Sequence, residues 1–330
     1  MKILLYAKNQ NIVKKSGVGR AFEHQKRALT SAGIDYTTIE TDNHDIVHIN
    51  TIFPSSLRMA KRARAKGLKV VYHAHSTYED FRNSFIGSNL LAPLFKRWII
   101  YCYNHGDVIL TPTPYAKQLL ENYGIEKEII ALSNGIDLKE FTCDKQAGQT
   151  FRQKYGFHKD DKIILSVGLQ IERKGILDFV ALAKSLPEYK FFWCGYTNPK
   201  MVPRKVQKAI NTKLPNLFFP GYIPRDEMCG VYSGSDLFLF MTHEETEGIV
   251  LLEALAMKIP ILLRDIAIYQ NWLTKDIHVY KDKTLLGFQK QIRTILKKDS
   301  PDLTANAYEI SKARDIEQIG LQLKEIYRSL

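Results

Sequence analysis

Two glutamates eight positions apart, Glu245 and Glu253, follow an apolar stretch in the second half of the chain. A buried carboxylate is costly unless it is paired or bound, so such residues beside a hydrophobic run indicate a binding role. The run Leu237–Met241 predicts a buried strand, and the polar residues 242–247 predict a loop. Apolar residues then recur at helical spacing from Ile249 onward. The two carboxylates are therefore predicted to lie where a strand passes into a helix.

The predicted start of that helix, at Gly248, is suited to binding an anion. Free backbone N–H groups at a helix start hold groups such as a diphosphate, and glycine permits a close backbone approach. Glu245 precedes the helix, and Glu253 lies about one turn inside it. We expect Glu253 to accept hydrogen bonds from the two hydroxyls of a ribose. The alternative is a surface loop whose acidic residue is favoured by the helix dipole.

A second candidate site follows the apolar run Ile163–Val167, where Arg173 and Lys174 precede Gly175. An arginine fork and a lysine point charge can clamp a diphosphate between them. A solvated basic turn is the ordinary alternative. The glutamate segment in the same half of the chain favours the clamp.

Gly17 and Gly19 lie in the segment Lys15–Arg20, which follows the first predicted strand and opens a helix. Glycines at this place let the backbone approach a phosphate or a sugar, although a plain tight turn is an alternative. A dinucleotide-binding fingerprint requires a third glycine at position 22, where Phe22 stands. The sequence therefore disfavours a nicotinamide-dependent enzyme.

His73 and His75 stand at the end of the predicted strand Lys69–His73. Ligands of open α/β sheets bind beyond the strand ends, so one histidine is expected to face a cleft. We expect His75 to bond a sugar hydroxyl or the reacting groups, while a structural role for His73 is an equal alternative. The pair has too few ligands for zinc. The chain also lacks an Asp-x-Asp triplet, which disfavours a metal-held nucleotide sugar.

These residues need a scaffold, and strands and helices are predicted to alternate along the chain. This alternation predicts doubly wound parallel sheets, and the polar stretch 142–150 divides the elements into two series. The sequence thus predicts an α/β protein with two Rossmann-like domains that face each other across a cleft. The predicted strands are Ile3–Ala7, Ile46–Asn50, Lys69–His73, Val108–Thr111, Ile129–Leu132, Ile163–Val167, Phe191–Cys194, Leu217–Phe219, Leu237–Met241 and Pro260–Leu263.

The net charge is +12, and residues 1–70 alone hold 13 Lys/Arg against 5 Asp/Glu. Such a field favours an anionic membrane surface, nucleic acid or a phosphorylated substrate as partner. No nucleic-acid module is recognisable, and no apolar stretch approaches the roughly 18 residues of a membrane span. The four cysteines show no metal or disulfide spacing. We expect a cytoplasmic protein that is peripheral on the inner face of the cell membrane.

Two predicted helices of the first half could contact such a membrane. One carries an apolar stripe and the other a basic face, a combination that suits an anionic leaflet. A helix that covers the sheet and a solvated charged face are the alternatives. The apolar stripe is Leu90, Leu91, Leu94, Phe95, Trp98, Ile99 and Cys102, and the basic face is Arg58, Lys61, Arg62, Arg64 and Lys66.

Four segments resemble, in order, those of family 4 glycosyltransferases of the GT-B fold: 16–19, 134–137, 173–175 and 245–253. The resemblance implies that Arg173 and Lys174 hold the donor diphosphate and that Glu253 holds the ribose. It assigns the donor sugar and phosphates to Glu245 and the amides around Thr246, Gly248 and Ile249. It places His75 at the sugar transfer point. Leu169 stands where the family often has arginine, which increases the importance of Arg173.

The resemblance also implies a terminal helix, Ile316–Tyr327, that crosses back to the first domain. The expected domains are then residues 1–140 with 315–330, and residues 141–314. The segment His73–Phe85 is similar to that of bacterial glycolipid synthases that extend monoglucosyl-diacylglycerol. This similarity implies retaining transfer of glucose or galactose from a UDP-sugar to a glycolipid acceptor. No cofactor or metal is expected beyond the UDP-sugar donor.

Two other functions stay open at this point. One is a family 4 glycosyltransferase that acts on a soluble or cell-wall-polymer acceptor. The other is a non-catalytic module that binds a sugar nucleotide, which the presence of both Glu245 and Glu253 disfavours. The sequence leaves the donor hexose, the acceptor hydroxyl and the oligomeric state undetermined.

Overall fold

Within residues 1–8 and 16–330, which the computed structural model describes, the chain forms two parallel sheets of six strands. The strands of the first sheet are β1 (Lys2–Tyr6), β2 (Asp35–Thr37), β3 (Ile46–Ile49), β4 (Lys69–His73), β5 (Val108–Thr111) and β6 (Glu128–Ala131). Those of the second sheet are β7 (Ile163–Val167), β8 (Lys190–Cys194), β9 (Leu217–Gly221), β10 (Leu237–Phe240), β11 (Ile261–Arg264) and β12 (Tyr280–Asp282).

Helices connect the strands and cover both faces of each sheet. They are α1 (Gly17–Ser31), α2 (Pro54–Ala65), α3 (Tyr78–Phe81), α4 (Ser88–Tyr103), α5 (Pro114–Asn122), α6 (Lys145–Lys154), α7 (Ile176–Ser185), α8 (Arg204–Ile210), α9 (Arg225–Ser233), α10 (Ile249–Ala256), α11 (Leu285–Leu296), α12 (Thr304–Lys312) and α13 (Ile316–Arg328). The predicted α/β fold with two facing sheets is confirmed.

The order of strands decides where a ligand can bind. The first sheet has the order β2-β1-β3-β4-β5-β6, and the second has the order β12-β11-β10-β7-β8-β9. The direction of winding therefore reverses between β1 and β3 and again between β7 and β10. Because ligands of open parallel sheets bind at such switch points, the loops after these four strands are the ones expected to line a site.

Two strands, β2 and β12, were absent from the sequence-based prediction. Each has three residues, Asp-Tyr-Thr and Tyr-Lys-Asp, and each lies at one edge of its sheet. Neither contains the continuous apolar run that indicates a buried parallel strand. Their pairing with β1 and β11 is therefore decided by the neighbouring strand and not by their own composition.

The C-terminal helix α13 packs against the first sheet, although the chain reaches it from the second. Val71 of β4 shares one buried apolar cluster with Phe22 of α1 and with Ile319 and Leu323 of α13. Lys324 donates a hydrogen bond to the carbonyl oxygen of Ala32 at 3.0 Å. The apolar face of α13 thus covers a surface of the first domain that would otherwise be exposed. The limits 1–140, 141–314 and 315–330 stay predictions of the sequence.

Gly320 is the point of closest approach between α13 and α1. A Cβ atom at this position would collide with the carbonyl oxygen of Ala28 and would lie 3.1 Å from the Ala32 side chain. We expect Gly320→Ala to destabilise the protein by about 1–3 kcal/mol, because the backbone of α1 cannot move away without disturbing the core. This cost exceeds the gain of about 1 kcal/mol that alanine brings to a helix interior.

Thermal melting of the whole protein tests this expectation, with Gln322→Ala on the exposed side of the same helix as control. The melting temperature of Gly320→Ala should fall by several degrees, while that of Gln322→Ala should stay near the parent value. Equal melting temperatures for all three proteins would show that α13 does not pack tightly on α1.

Candidate active site

The glutamate segment connects β10 to α10 at the switch point of the second sheet. β10 ends at Phe240, and α10 begins at Ile249 after a loop. Gly248 caps the helix with φ +87°, and a Cβ atom there would lie 3.1 Å from the Phe240 ring. Any other residue would be strained in this conformation. The backbone N–H groups of Thr246, Gly248 and Ile249 therefore belong to a rigid turn at the edge of the cleft.

Glu245 and Lys174 meet as a buried ion pair at this edge. Lys174 lies in the short helical turn 172–174 after β7, and Glu245 precedes α10. Burial lowers the pKa of Lys174, and the Glu245 carboxylate opposes that shift. Gly175 follows with φ +84°, and its Cα lies against the backbone of Met241. This contact presses the turn onto the end of β10 and fixes the ammonium beside the loop.

Glu253, in the second turn of α10, is fully buried and carries two donors. It accepts hydrogen bonds from Arg20 of α1 and from the hydroxyl of Tyr232, the latter at 2.8 Å. The Glu253 charge raises the pKa of Arg20. A ribose would have to share the carboxylate with these donors or displace one of them. The assignment of Glu253 to a ribose stays a prediction.

The glycine loop is described from Ser16 onward, and Lys15 lies outside the described residues. Gly17 and Gly19 form the first turn of α1, directly before Arg20. Among the described residues, a Cβ atom at Gly17 would meet no atom within 4 Å. Because Arg20 bonds Glu253 of α10, the two helix starts that the sequence singled out face each other across the cleft.

Arg173 is held by both domains. Its guanidinium donates to the Ser84 hydroxyl at 3.0 Å and to the Glu244 carbonyl at 2.7 Å, and it pairs with Asp80 at 3.2 Å. The side chain is buried in this arrangement. Lys174 is therefore better placed than Arg173 to meet a diphosphate directly. The predicted diphosphate role of Arg173 stays a prediction that requires some of these bonds to be exchanged.

His75 lies at the cleft as the outer member of a stack of three histidines. Its ring packs on His73 at 4.1 Å between centroids, and His73 packs on His48 at 5.4 Å. His73 is buried and His75 is partly exposed, and a structural role for His73 stays a prediction. Burial lowers the pKa of His75 to about 3, so the ring is neutral at physiological pH. A neutral ring presents one nitrogen as donor and the other as acceptor.

Asn50 and Gln25 determine which ring nitrogen of His75 carries the proton. The Asn50 oxygen lies 3.1 Å from His75 Nε2, and its amide nitrogen donates to Gln25 at 2.8 Å. Gln25 in turn donates to His48, which contacts the hydroxyl of Tyr327 in α13. This chain holds the proton on Nε2 and leaves Nδ1 as an acceptor. Such second-layer bonds set the tautomer of functional histidines.

Glu247 joins the glutamate segment to the first domain. The backbone and side-chain nitrogens of Asn134 donate to it at 2.9 and 2.8 Å, and Ser133 adds a third bond. Burial raises the pKa of Glu247, and these donors oppose the shift. Thr113 also donates to the carbonyl of Thr246 at 2.8 Å. The turn predicted to bind the donor is thus supported from the opposite domain.

The sequence did not single out the partners of the predicted site residues. Arg20 was part of the glycine loop. Its charge beside a glycine-rich turn was the signal that could have indicated a role in the site. Asn50 was the last residue of a predicted strand that ends at a switch point. Tyr232 and Glu247 carried no comparable signal, because their roles depend on contacts between distant segments.

Known structures share this architecture. The HepE protein of Anabaena, solved in complex with UDP and glucose, superposes with a TM-score of 0.79 at 15% identity, and all of each chain is covered. Sucrose-phosphate synthase from Thermosynechococcus elongatus gives a TM-score of 0.81 at 16% identity, covering 100% of this chain and 98% of that one. The chain therefore has the two-domain fold that these structures share.

Sequence comparison identifies the family. Residues 9–140 match the family described as Glycosyltransferase Family 4, and residues 148–313 match Glycosyl transferases group 1. The processive diacylglycerol alpha-glucosyltransferase of Acholeplasma laidlawii is 40% identical over 331 residues, covering 100% of this chain and 98% of its own. The alpha-galactosylglucosyldiacylglycerol synthase of Streptococcus pneumoniae is 27% identical, covering 78% of this chain and 71% of its own. The chain belongs to the family 4 glycosyltransferases, which confirms the resemblance.

The Asn50 bond to His75 leads to a prediction for the pH dependence of sugar transfer. In Asn50→Asp, a carboxylate replaces the neutral acceptor and raises the pKa of His75, because it stabilises the charged ring. Protonation of Nδ1 then removes the acceptor as the pH falls. A nearby opposite charge raises a pKa by about 1–3, here from about 3, so we expect kcat/KM of the variant to drop by up to about tenfold between pH 8 and pH 5, in addition to any change in the parent.

Steady-state transfer rates over this pH range measure the effect. Asn306→Asp introduces the same charge at an exposed position and serves as control. If Asn50→Asp and Asn306→Asp have the same pH profile, Asn50 does not set the protonation state of His75.

Proposed function

We propose that the protein is a retaining glycosyltransferase that moves glucose or galactose from a UDP-sugar to a glycolipid. The preferred acceptor is monoglucosyl-diacylglycerol, and the product is a diglycosyl-diacylglycerol. The observation that carries this proposal is the 40% identity to a diacylglycerol glucosyltransferase over the full length of the chain. That relative supports glucose as the donor hexose.

The geometry of the cleft supports a route that does not use a metal ion. Negative charge develops on the UDP phosphate as its bond to the anomeric carbon breaks, and preorganised donors stabilise that charge. Lys174 and the backbone N–H groups at the start of α10 are placed to supply them. Arg173 adds positive charge from the adjacent part of the same turn. We infer that transfer continues in the presence of a chelator.

In the proposed step, the acceptor hydroxyl attacks the anomeric carbon from the face that UDP leaves. The bond from that carbon to the phosphate oxygen breaks, the bond to the acceptor oxygen forms, and the acceptor proton passes to the leaving phosphate. His75 Nδ1 accepts a hydrogen bond from a hydroxyl of the donor sugar and orients it. The ion pair of Glu245 with Lys174 supports an anchoring role for Glu245 over attack as a nucleophile.

A transfer assay with vesicles tests the proposed function. Purified protein is incubated with UDP-glucose or UDP-galactose and with vesicles that contain diacylglycerol or monoglucosyl-diacylglycerol. We expect a diglycosyl lipid as product, at an equal rate with EDTA. Lys174→Met should lower the rate at least a hundredfold, because a charged contact to the leaving group is lost.

The melting temperature of Lys174→Met shows whether that variant is folded. Transfer only to a soluble sugar or a wall polymer would refute the lipid acceptor. Binding of the UDP-sugar without any turnover would identify a non-catalytic module instead.

We also propose that the first domain docks on the cytoplasmic face of an anionic membrane. The first turns of α4 expose Leu90 and Leu94 by 83% and 62%, next to the exposed Ile86 and Leu91. Farther along the helix, Ile99 and Cys102 are buried in the core. Each of the two interpretations therefore fits one part of the predicted apolar stripe. Its N-terminal part is exposed, and its C-terminal part faces the core.

The basic face of α2 contacts the C-terminal part of α4, the helix whose first turns carry the exposed leucines. Its five cationic side chains are exposed, and Lys61 donates to the hydroxyl of Tyr101 in α4 at 2.9 Å. Adjacent basic and apolar surfaces suit an anionic bilayer, since charge attracts and apolar burial retains the protein. In the described part of the chain, no helix is long and apolar enough to cross a membrane.

Charge introduced into the exposed leucines should weaken membrane binding. We expect Leu90→Glu with Leu94→Glu to lower the fraction that floats with anionic vesicles at least tenfold, because two apolar contacts are lost and charge repels the surface. Leu286→Glu alters a side chain that is 75% exposed on α11 of the second domain and serves as control. Equal flotation of both variants would exclude α4 as the membrane contact.

A further inference from the structure

A pocket of about 330 Å³ opens between the two domains, beside the candidate donor site. One wall is the segment that includes α3 and follows it, and the other is formed by the loops after β7 and β10. Its lining side chains are Glu79, Arg82, Asn83, Glu172, Arg173, His243 and Glu244. Both domains therefore contribute to it, as expected for a place where two substrates meet.

The pocket is separate from the groups that would hold the diphosphate. Arg173 and Glu244 line it, whereas their neighbours Lys174 and Glu245 pair with each other outside its lining. Arg173 is a fixed part of the wall, because Asp80 and Ser84 hold its guanidinium. A molecule in the pocket would thus contact Arg173 and Glu244 and leave Lys174 to a diphosphate.

The polar groups of the pocket suit hydroxyls. The Oε2 atom of Glu244 accepts a bond from Tyr115 at 3.3 Å, while its buried Oε1 atom meets no donor among the described residues. A buried carboxylate oxygen without a donor requires one from a ligand or water. Arg82 stacks over the Tyr78 ring at 5.6 Å and keeps its side chain exposed at the rim.

The pocket also adjoins the leucine surface of α4. Asn83 lines the pocket, and its backbone N–H and side chain bond the Asn89 side chain of α4, both at 2.9 Å. Leu90 follows directly, and Ile86 lies between the two asparagines in sequence. A molecule that places a polar head in the pocket can therefore keep its apolar part at the membrane contact proposed above.

We propose that this pocket binds the sugar headgroup of the acceptor glycolipid, with Glu244 and Arg82 bonding its hydroxyls. The inference rests on the proposed function and extends it, since it assigns a site for the hexose that is already on the lipid. A site built to bond substrate hydroxyls rejects an analogue that lacks them. The pocket thus selects a glycosylated lipid over bare diacylglycerol.

The charge state of Glu244 agrees with a neutral ligand. Burial raises its pKa to about 7, and the nearby Glu79 and Glu245 carboxylates add to the rise, while Tyr115 and Arg173 oppose it. A carboxyl group that is partly protonated near neutral pH can both donate and accept hydrogen bonds. Sugar hydroxyls do the same, whereas a cationic headgroup would be attracted mainly to the ionised form.

Acceptor kinetics and vesicle flotation test the proposal together. Glu244→Ala and Arg82→Ala are assayed at saturating UDP-glucose against vesicles with increasing fractions of monoglucosyl-diacylglycerol or of diacylglycerol. We expect each variant to raise the KM for the monoglucosyl lipid about tenfold, the effect of losing one hydrogen bond to a charged group. The KM for diacylglycerol, and the KM for UDP-glucose measured at a fixed fraction of acceptor lipid, should stay within twofold of the parent value.

Glu227→Ala is the matched control, because it removes an exposed carboxylate from the second domain far from the pocket. Glu244→Gln, which keeps the size of the side chain, guards against a folding defect and should restore part of the affinity. An equal rise of the KM for UDP-glucose would assign the pocket to the donor. Unchanged kinetics in all variants would exclude a headgroup site.

Flotation separates this inference from the proposed reaction. With equal anionic lipid, the parent should bind vesicles that contain monoglucosyl-diacylglycerol more tightly than vesicles with diacylglycerol, and Glu244→Ala should lose that difference. Selective flotation without any transfer would retain the pocket and refute the reaction. If transfer occurs but flotation is not selective and the variants have the kinetics of the parent, the headgroup site is refuted and the proposed reaction is retained.

Discussion

The pairing of buried carboxylates across the domain boundary is the constraint on which the rest of the structure depends. Glu253 of the second domain is fully buried and would be strongly destabilising if its charge were unpaired. Arg20 of the first domain neutralises it, and hydrogen bonds from Asn134 stabilise the carboxylate of Glu247. The segment predicted to bind the donor therefore also holds the two domains together.

This arrangement explains how a two-domain cleft can be ordered before the substrates bind. Lys174 neutralises Glu245 within the second domain, while Arg173 reaches across to Asp80 and Ser84 in the first. The charges near the proposed reaction centre are thus placed by contacts that do not require a ligand. Preorganised charges stabilise a transition state without the cost of reorientation during the reaction.

The same cleft adjoins the proposed membrane contact. The exposed leucines of α4, the bonded asparagines at its start and the pocket beneath them form one continuous surface of the first domain and the facing loops. A lipid-linked sugar has the same division into apolar and polar parts. Under the two proposals, the bilayer positions the apolar part of the acceptor and the carboxylate of Glu244 positions its sugar.

The sequence by itself determined the α/β fold, nearly all strands and the glycine, lysine and glutamate segments of the site, because apolar runs, helical spacing and glycine turns are local signals. It missed the edge strands β2 and β12, whose short polar sequences pair only because a neighbour is present. It also left open whether α4 faces membrane or core. Only the tertiary structure decided that Glu253 pairs with Arg20, that Arg173 contacts both domains and that Asn50 sets the tautomer of His75. These contacts connect segments separated by up to 233 positions, and burial, not local propensity, selects them.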